Sequence, residues 1–342
     1  MPLTARRPVF MRAVAATVVL AGVASACGSD KAATTTTITL PQKVVVSSVA
    51  GDPVSLLLSA LYAEGLQNAG LRVVRRDPLP DAAAAYAAVK DDTVQVIPGF
   101  SGDLLDYLHS IGATPATTTT PPSTLEPTTT LEPVPGDTQA TTTTTSLPVG
   151  DPRTVDDQVA VVKSLLPAEL QVSNPSTAER KQVIACSKTA TDADTLGTYT
   201  DLGPVASKLI LGGPTGFETS TPLGLATLRS SYGAEFKSFV TLDPTGVAAA
   251  MKAGTVDCAV VLSTDPAITG ESMTALLDDK ALVAPNGALA LISTPGATSD
   301  VTTAINAVMA KLTMTVLDGM TDQVANKGQS PEYLASLFLQ AS

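Results

Sequence analysis

Side chains that commonly perform catalysis are scarce in this chain. His109 is the single histidine among 342 residues, so a Ser-His-Asp triad or a multi-histidine metal site would depend on one residue beside a Thr- and Pro-rich segment. The sequence contains no Gly-x-Ser-x-Gly, Ser-x-x-Lys or Gly-x-x-x-x-Gly-Lys motif, the patterns of nucleophilic serines and phosphate loops. We therefore expect His109 to be a surface residue. We also expect that the protein is not an enzyme and that it uses no metal and no cofactor.

Cys27 carries a different chemistry, that of lipid attachment. Three arginines precede the apolar run 13–23, and Ala24-Ser25-Ala26 stands directly before Cys27, which is typical of a secretory signal peptide with a lipobox-like end. The run is too short to cross a hydrocarbon core of ~30 Å. We expect a diacylglyceryl group on Cys27 to anchor the chain to the outer face of the cell membrane. The alternative is an ordinary cleaved signal that leaves Cys27 as a spare thiol.

Cys186 and Cys258 lie in the strand-like runs QVIAC and VDCAVVL. In an exported chain, two cysteines on neighbouring strands of one sheet are candidates for a disulfide. The alternative is a pair of buried thiols that fill core space. The sequence leaves both open.

Composition and charge describe a secreted globular protein. The chain is 44% hydrophobic with a formal net charge of -11, and its length allows two lobes with separate cores. The acidic balance argues against nucleic acid as a partner, because phosphates require clustered cations. Segment 114–150 is rich in Thr and Pro, so we expect it to be a disordered insertion.

Alternating strands and helices must position any site. We predict a strand at 44–49, a helix at 53–69, a strand at 72–76, a helix at 81–89 and a strand at 94–100. Apolar residues at 3.6 spacing support the first helix, and the alternation implies a mostly parallel sheet with helices on both sides. Ligands of such sheets sit beyond the carboxyl ends of the strands, which places the turns 47–52 and 98–103 on one wall of a cleft.

The second half of the chain repeats this alternation. Residues 208–268 read as strand, Gly turn, helix, strand, helix and strand, and two helices are expected near 301–313 and 331–340.

Several motifs add a family resemblance. LGGPTGF at 211–217 and STDPAI at 263–268 resemble the LGGPxxF and TTDPAI signatures of the glycine betaine, choline and related osmoprotectant-binding proteins of ABC importers. The phrases LYAEGLQNAGLRVVRR, VIPGFSGD and VSNPS are also similar to that family. The resemblance covers residues 43–339. It implies an α/β, two-lobed, periplasmic-binding-protein-like (type II) fold, in which each lobe has a mostly parallel sheet flanked by helices.

The resemblance also implies two crossings between the lobes, near Asn174-Pro175 and near Asp265-Pro266. Two lobes joined by two strands form a hinge, whose closure captures solutes. Together with the N-terminal sequence and the Thr- and Pro-rich segment, the resemblance gives an expected domain plan and partners. The expected plan is a signal peptide at 1-26, a lipid-anchored tether at 27-42, lobe 1 at 43-113 and 151-173 with 267-342, the insertion at 114-150 and lobe 2 at 174-266. The expected protein is a monomeric extracytoplasmic solute-binding lipoprotein that serves ABC permease and ATPase subunits.

Departures from the family concern the ligand. These proteins commonly hold a quaternary ammonium by cation-π attraction inside a box of aromatic rings. Phe100 keeps a ring, but Gln182 and Asn286 stand where the family carries Tyr, and Val261 and Leu262 stand where an aromatic often precedes TTDP. One ring cannot enclose a trimethylammonium group, so we expect a different ligand.

Polar side chains at the matching positions favour a small polar solute with hydroxyl or amino groups. The candidate ligand-binding residues are Ser47, Ser48, Phe100, Ser101, Asp103, Arg180, Gln182, Thr264, Asp265 and Asn286. Several of these could instead be solvated surface groups, and an Asp before Pro often fixes a turn. The alternative function is a non-transport surface lipoprotein, either a solute sensor or an envelope scaffold, that keeps the fold but has lost the quaternary-ammonium site.

Overall fold

The structure is a computed structural model that describes residues 43–115 and 154–340. The predicted signal peptide, Cys27 and the tether lie outside these ranges, as do residues 116–150 of the predicted insertion. Within the described ranges, none of the helices has the length and apolarity that a membrane crossing requires.

Two five-stranded mixed sheets organise the described chain, one in each lobe. The order in the first sheet is β2 (Arg72–Arg75), β1 (Lys43–Val46), β3 (Val96–Phe100), β10 (Ala288–Ser293) and β4 (Leu170–Val172). The order in the second sheet is β7 (Ser238–Thr241), β6 (Ile210–Gly213), β8 (Cys258–Leu262), β5 (Gln182–Cys186) and β9 (Thr274–Ala275). In both sheets the first three strands are parallel to one another, the fourth runs antiparallel to them, and the fifth pairs antiparallel with the fourth. The two lobes therefore share one strand pattern.

Helices cover both faces of each sheet. One face of the first sheet packs on α1 (Pro53–Asn68), α10 (Ser299–Lys311), α11 (Met314–Ala325) and α12 (Pro331–Gln340), and the other on α2 (Ala82–Lys90), α3 (Ser101–Ser110) and α4 (Val155–Leu165). The second sheet packs on α5 (Lys188–Asp194), α6 (Tyr199–Leu202) and α7 (Leu225–Tyr232) on one face and on α8 (Val247–Lys252) and α9 (Pro266–Gly270) on the other. Each lobe is thus a three-layer α/β unit with a core on either side of its sheet.

Helix α1 shows how the sequence sets an element next to the site. The Asp52 carboxylate accepts the N–H groups of Val54 at 2.9 Å and Ser55 at 3.1 Å, and Pro53 occupies the first helical position. An Asp cap and an N1 proline both favour a helix start. The apolar side chains of α1 are buried against the sheet, and the fully buried Tyr62 donates its hydroxyl to the carbonyl of Leu289 at 3.0 Å.

Two short crossover segments, 173–181 and 284–287, join the lobes and pair with each other. The N–H of Arg180 donates to the carbonyl of Asn286 at 2.8 Å, and the N–H of Ala288 donates to the carbonyl of Ala178 at 2.9 Å. Glu179 and Gly287 form an antiparallel bridge. The connection between the lobes is therefore a two-stranded ribbon, which we call the hinge.

The second crossing lies later in the chain than the sequence predicts. The prediction assigns residues 267-342 to lobe 1, with the crossing near Asp265-Pro266. In the structure Asp265 caps α9, β9 pairs with β5, and Leu276 is buried in the second core. The chain leaves lobe 2 only after Val283, because Asp265 and Pro266 begin a helix and do not lead into a crossover. Helix α11 was also missing from the prediction.

Cys186 and Cys258 stand directly opposite each other in the antiparallel pair β5 and β8. The structure joins them in a disulfide that spans 72 residues of sequence. The bond therefore ties the strand that enters lobe 2 from the hinge to the centre of the second sheet.

Candidate functional site

Two neighbouring cavities share Asp52 and Arg180 as a wall. The inner cavity, of about 150 Å³, lies within lobe 1 beside β3, and its lining includes Tyr86 of α2, Phe100, and Asp103 and Tyr107 of α3. The interlobe cleft, of about 370 Å³, is lined by residues 51–54 from lobe 1 and by Leu262, Thr264, Asp265 and Pro266 from lobe 2. The Asp52–Arg180 pair thus forms the partition between an aromatic chamber and the opening between the lobes.

Arg180 is the centre of this arrangement. Its Nη1 donates to Oδ2 of Asp52 at 2.6 Å, and its Nη2 forms an ion pair with Oδ2 of Asp103. Its Cζ lies 4.1 Å from the centroid of the Phe100 ring, within the range of a cation-π contact. Only 15% of the Arg180 side chain is exposed. The guanidinium is therefore held from three directions.

The elements around Arg180 explain why these groups meet. Asp52 is fixed as the cap of α1, and Asp103 lies in the first turn of α3. The side-chain amide of Asn286, on the hinge, donates to Oδ1 of Asp103 at 2.7 Å and accepts the N–H of Gly102 at 2.7 Å. The segments that follow β1 and β3 therefore each bring a carboxylate to Arg180, which lies on the hinge.

Burial and charge act on Arg180 in opposite directions. Burial alone lowers the pKa of Arg180, but the carboxylates of Asp103 and Asp52 outweigh it, and the net pKa is raised. The guanidinium is therefore fully charged at any physiological pH. Its Nε is buried and has no hydrogen-bond partner in the described part of the chain.

Asp265 is the carboxylate on the opposite side of the interlobe cleft. Burial raises its pKa, and the N–H of Ala267, which donates to Oδ1 at 2.8 Å, lowers it by less. Partial desolvation without a charged partner is the physical cause of such a rise. A positive group in the cleft would lower the free energy of the ionised Asp265.

Aromatic rings are more numerous here than the sequence suggested. Tyr86 and Tyr107 line the inner cavity together with Phe100, and their ring centroids lie 5.0 Å apart. Sequence reasoning counted Phe100 alone, because Tyr86 and Tyr107 come from helices α2 and α3. The sequence signal that could have revealed these two rings is an aromatic residue on each of the helices α2 and α3, which follow strands of lobe 1.

The structure divides the predicted ligand residues into groups. Phe100, Asp103, Arg180 and Asn286 come together in one cluster, and Thr264 and Asp265 line the cleft opposite it.

The remaining predicted residues do not line either of the two cavities. Ser47 donates to the carbonyl of Asp77 and Ser101 donates to Gln158, and both side chains are buried, as is Ser48. Gln182 is half-buried at the start of β5, opposite Leu262. The hydroxyls of Ser47 and Ser101 therefore bond within lobe 1. Asp52, which sequence reasoning missed, lines both cavities.

Side chains for other chemistry are not grouped in the described ranges. His109 is exposed near the end of α3. Within residues 43–115 and 154–340, no cluster of three or more His, Cys, Asp or Glu side chains could hold a metal ion. The arrangement is suited to holding a charged or polar small molecule between two lobes.

A hinge, two α/β lobes and a cleft between them define the class of two-lobed solute-binding proteins. Residues 42–341 match the model of the OpuAC family, described as the substrate binding domain of ABC-type glycine betaine transport systems, and the chain belongs to that family.

Solved structures show the same fold. A crystal structure of a glycine betaine/carnitine/choline ABC transporter protein has a TM-score of 0.68 at 15% identity, covering 87% of this chain and 98% of that one. The apo form of YehZ from Escherichia coli has a TM-score of 0.66, with the same identity and coverage. Comparison with curated protein sequences finds no significant match.

Family membership establishes the general role. The protein is a substrate-binding component of an ABC transport system, which captures a solute and presents it to a membrane permease from outside the cytoplasm. Its family consists generally of binding proteins and not of enzymes.

Proposed function

We propose that the protein captures a small polar solute carrying an amino group in the interlobe cleft. The observation that supports this most directly is Asp265, a partly buried carboxylate with a raised pKa that faces the Asp52–Arg180 pair across the cleft. Among the described residues that line the two cavities, three are acidic and one is basic. A cationic amino group would offset one of the two excess negative charges, and hydroxyls could bond to Thr264.

Capture would involve the hinge. The cleft takes residues 51–54 from lobe 1 and Leu262 to Pro266 from lobe 2, so a solute bound there contacts both lobes. Rotation about the paired crossover segments would bring Asp265 onto the solute while Arg180 stays with lobe 1 through Asp52 and Asp103. Closure would then present the loaded form to an ABC permease and its ATPase.

The location of capture follows from the N-terminal sequence. We place the protein as a monomer on the outer face of the membrane, anchored by a diacylglyceryl group on Cys27 after cleavage behind residue 26. Globomycin treatment, which blocks lipoprotein signal cleavage, should leave an uncleaved precursor. A precursor that is processed normally in its presence would contradict the anchor.

The solute site can be tested with a matched pair of variants. Wild-type protein would be screened by thermal shift against amines, amino acids, sugars and betaines. A solute at 100 times its dissociation constant adds about 2.7 kcal/mol of stability. Asp265→Asn keeps the helix cap but removes the charge, and should weaken binding of an amino solute about 10- to 100-fold. Asp243→Asn, at an exposed Asp-Pro in the same lobe, should leave it unchanged.

Binding should also depend on pH. Because an amino solute favours the ionised form of Asp265, affinity should fall as the pH drops through the raised pKa of that group. Equal affinity of both Asn variants, or a solute that binds best when Asp265 is protonated, would overturn the proposal.

The alternative of a sensor or scaffold that has lost its binding site is not favoured. The family match runs through both lobes and the hinge, and the cleft retains charged groups on both sides. Both observations support a retained binding site as well as a retained binding fold.

A further inference from the structure

Three groups of lobe 1 converge on a single position beside the cleft. The face of Phe100, Oδ2 of Asp52 and Oδ2 of Asp103 all contact the guanidinium of Arg180. In each carboxylate the other oxygen is already used, by the N–H groups at the start of α1 and by Asn286. The two Oδ2 atoms and the ring thus form a receptor for one cation, which Arg180 occupies.

That receptor has the chemistry of an ammonium site. An aromatic face with nearby carboxylates attracts a positive group electrostatically, most strongly where water is excluded. Tyr86 and Tyr107 add two further rings on the side of the inner cavity. The protein's own arginine lies where the positive end of a ligand would lie.

We propose that Arg180 is a resident cation that occupies an otherwise functional ammonium site, and that it thereby excludes quaternary ammonium solutes from this protein. This rests on the proposed function, because it names what the same site rejects. Arg180 is then a specificity-determining residue, and the accepted solute uses the opposite wall of the cleft, at Thr264 and Asp265.

Geometry explains why exclusion is effective. Arg180 lines both cavities, so its side chain separates the aromatic chamber from the cleft. It comes from the hinge, where its N–H is bonded to Asn286. A tethered cation has a high local concentration and competes with any free cation for the same ring and carboxylates. Its removal would join the chamber to the cleft and free all three contacts.

The test measures choline and tetramethylammonium binding by calorimetry on the mature protein. Arg180→Ala should bind choline about tenfold or more tightly than wild type, which is the scale of one desolvated cation-π contact. Phe100→Leu added to Arg180→Ala should abolish the gain. Arg180→Lys retains a resident cation and should gain little. Lys181→Ala makes the same charge change at the adjacent residue, which pairs with Glu179 at 3.6 Å, and should gain nothing.

Circular dichroism checks that each variant is folded, and a second variant provides an independent test. Arg180→Gln is neutral but can still donate to Asp52 or Asp103, and it should show the same gain if Arg180→Ala is unstable. Folded Arg180→Ala and Arg180→Gln without choline binding would overturn the inference, as would equal choline binding by wild type or an equal gain in Lys181→Ala.

The two proposals fail separately. A solute that shifts wild type and depends on Asp265 upholds the proposed function even where the Arg180 variants gain nothing. Conversely, a gain of choline binding in the Arg180 variants supports the resident cation even if no amino solute binds to wild type.

Discussion

The two lobes share a strand pattern but contribute differently to the site. In each, three parallel strands are followed by one reversed strand and by a fifth that pairs antiparallel with it. Lobe 1 supplies a ring and two carboxylates from the ends of β1 and β3, while lobe 2 supplies the turn 262–266 and carries the disulfide. Topology therefore determines where strand ends meet, and the side chains at those ends determine what each lobe does. Lobe 1 contributes the paired carboxylates around Arg180, and lobe 2 contributes Asp265 from a sheet that a disulfide braces.

Removing the disulfide should give the largest difference in stability between the lobes. Opening a 72-residue loop through Cys186→Ser with Cys258→Ser should lower the free energy of unfolding by about 4 kcal/mol in the chain-entropy model. Hydrogen exchange should show the loss in β5 to β8, with β1 to β3 much less affected. An equal loss of protection in both lobes would contradict separate bracing.

Disrupting the charged cluster around Arg180 should give the next largest loss of stability. Asp52→Ala removes both a helix cap and a partner of Arg180, and we expect a loss of about 2 kcal/mol. Asp81→Ala is the matched control, because Asp81 caps α2 through Ala84 at 2.8 Å but is exposed and touches no arginine; its cost should be about 1 kcal/mol or less. Equal losses in urea denaturation would show that the Arg180 contact adds no stability.

A smaller change in stability, and in this case a gain, is expected from a substitution in α11, where the two lobes meet. Burial raises the pKa of Asp318 to about 6, and its Oδ1 has no hydrogen-bond partner within the described ranges. Asp318 lies in a small cavity with Ser263, Thr264 and Asp265. A pKa raised in the folded state means that Asp318 stabilises the fold below about pH 4 and that this stability is lost as the pH rises through about 6.

Asp318→Asn should therefore stabilise the protein at pH 7 to 8. The two-unit rise corresponds to about 3 kcal/mol, and solvent screening of this half-exposed group reduces it to about 1 kcal/mol. Melting temperatures of wild type and variant should converge near pH 4. A constant difference across this range would show that the effect is not one of charge.

Sequence reasoning located most elements of lobe 1 because its signals are local. The leucine spacing of α1 and the Ser330-Pro331 start of α12 predicted both helices closely. The return from lobe 2 was misplaced, because an Asp-Pro pair can begin a helix as readily as a crossover, and β9 has only two residues. A strand this short has almost no periodicity to detect.

The site was predicted only in part, for a related reason. Phe100, Asp103, Arg180 and Asn286 were found because they lie in turns and crossovers that resemble a known family. Asp52 was missed, and the rings of Tyr86 and Tyr107 belong to helices whose orientation depends on tertiary packing. The pairing of Arg180 with two carboxylates from different strand ends is invisible without the fold.

A structure of the protein with the solute that gives the largest thermal shift would show whether the solute binds between the lobes. We predict that the solute lies in the interlobe cleft, with an amino group on Asp265 and with Arg180 still against Phe100. A solute held by one lobe alone, or bound in place of the Arg180 guanidinium, would contradict capture between the lobes.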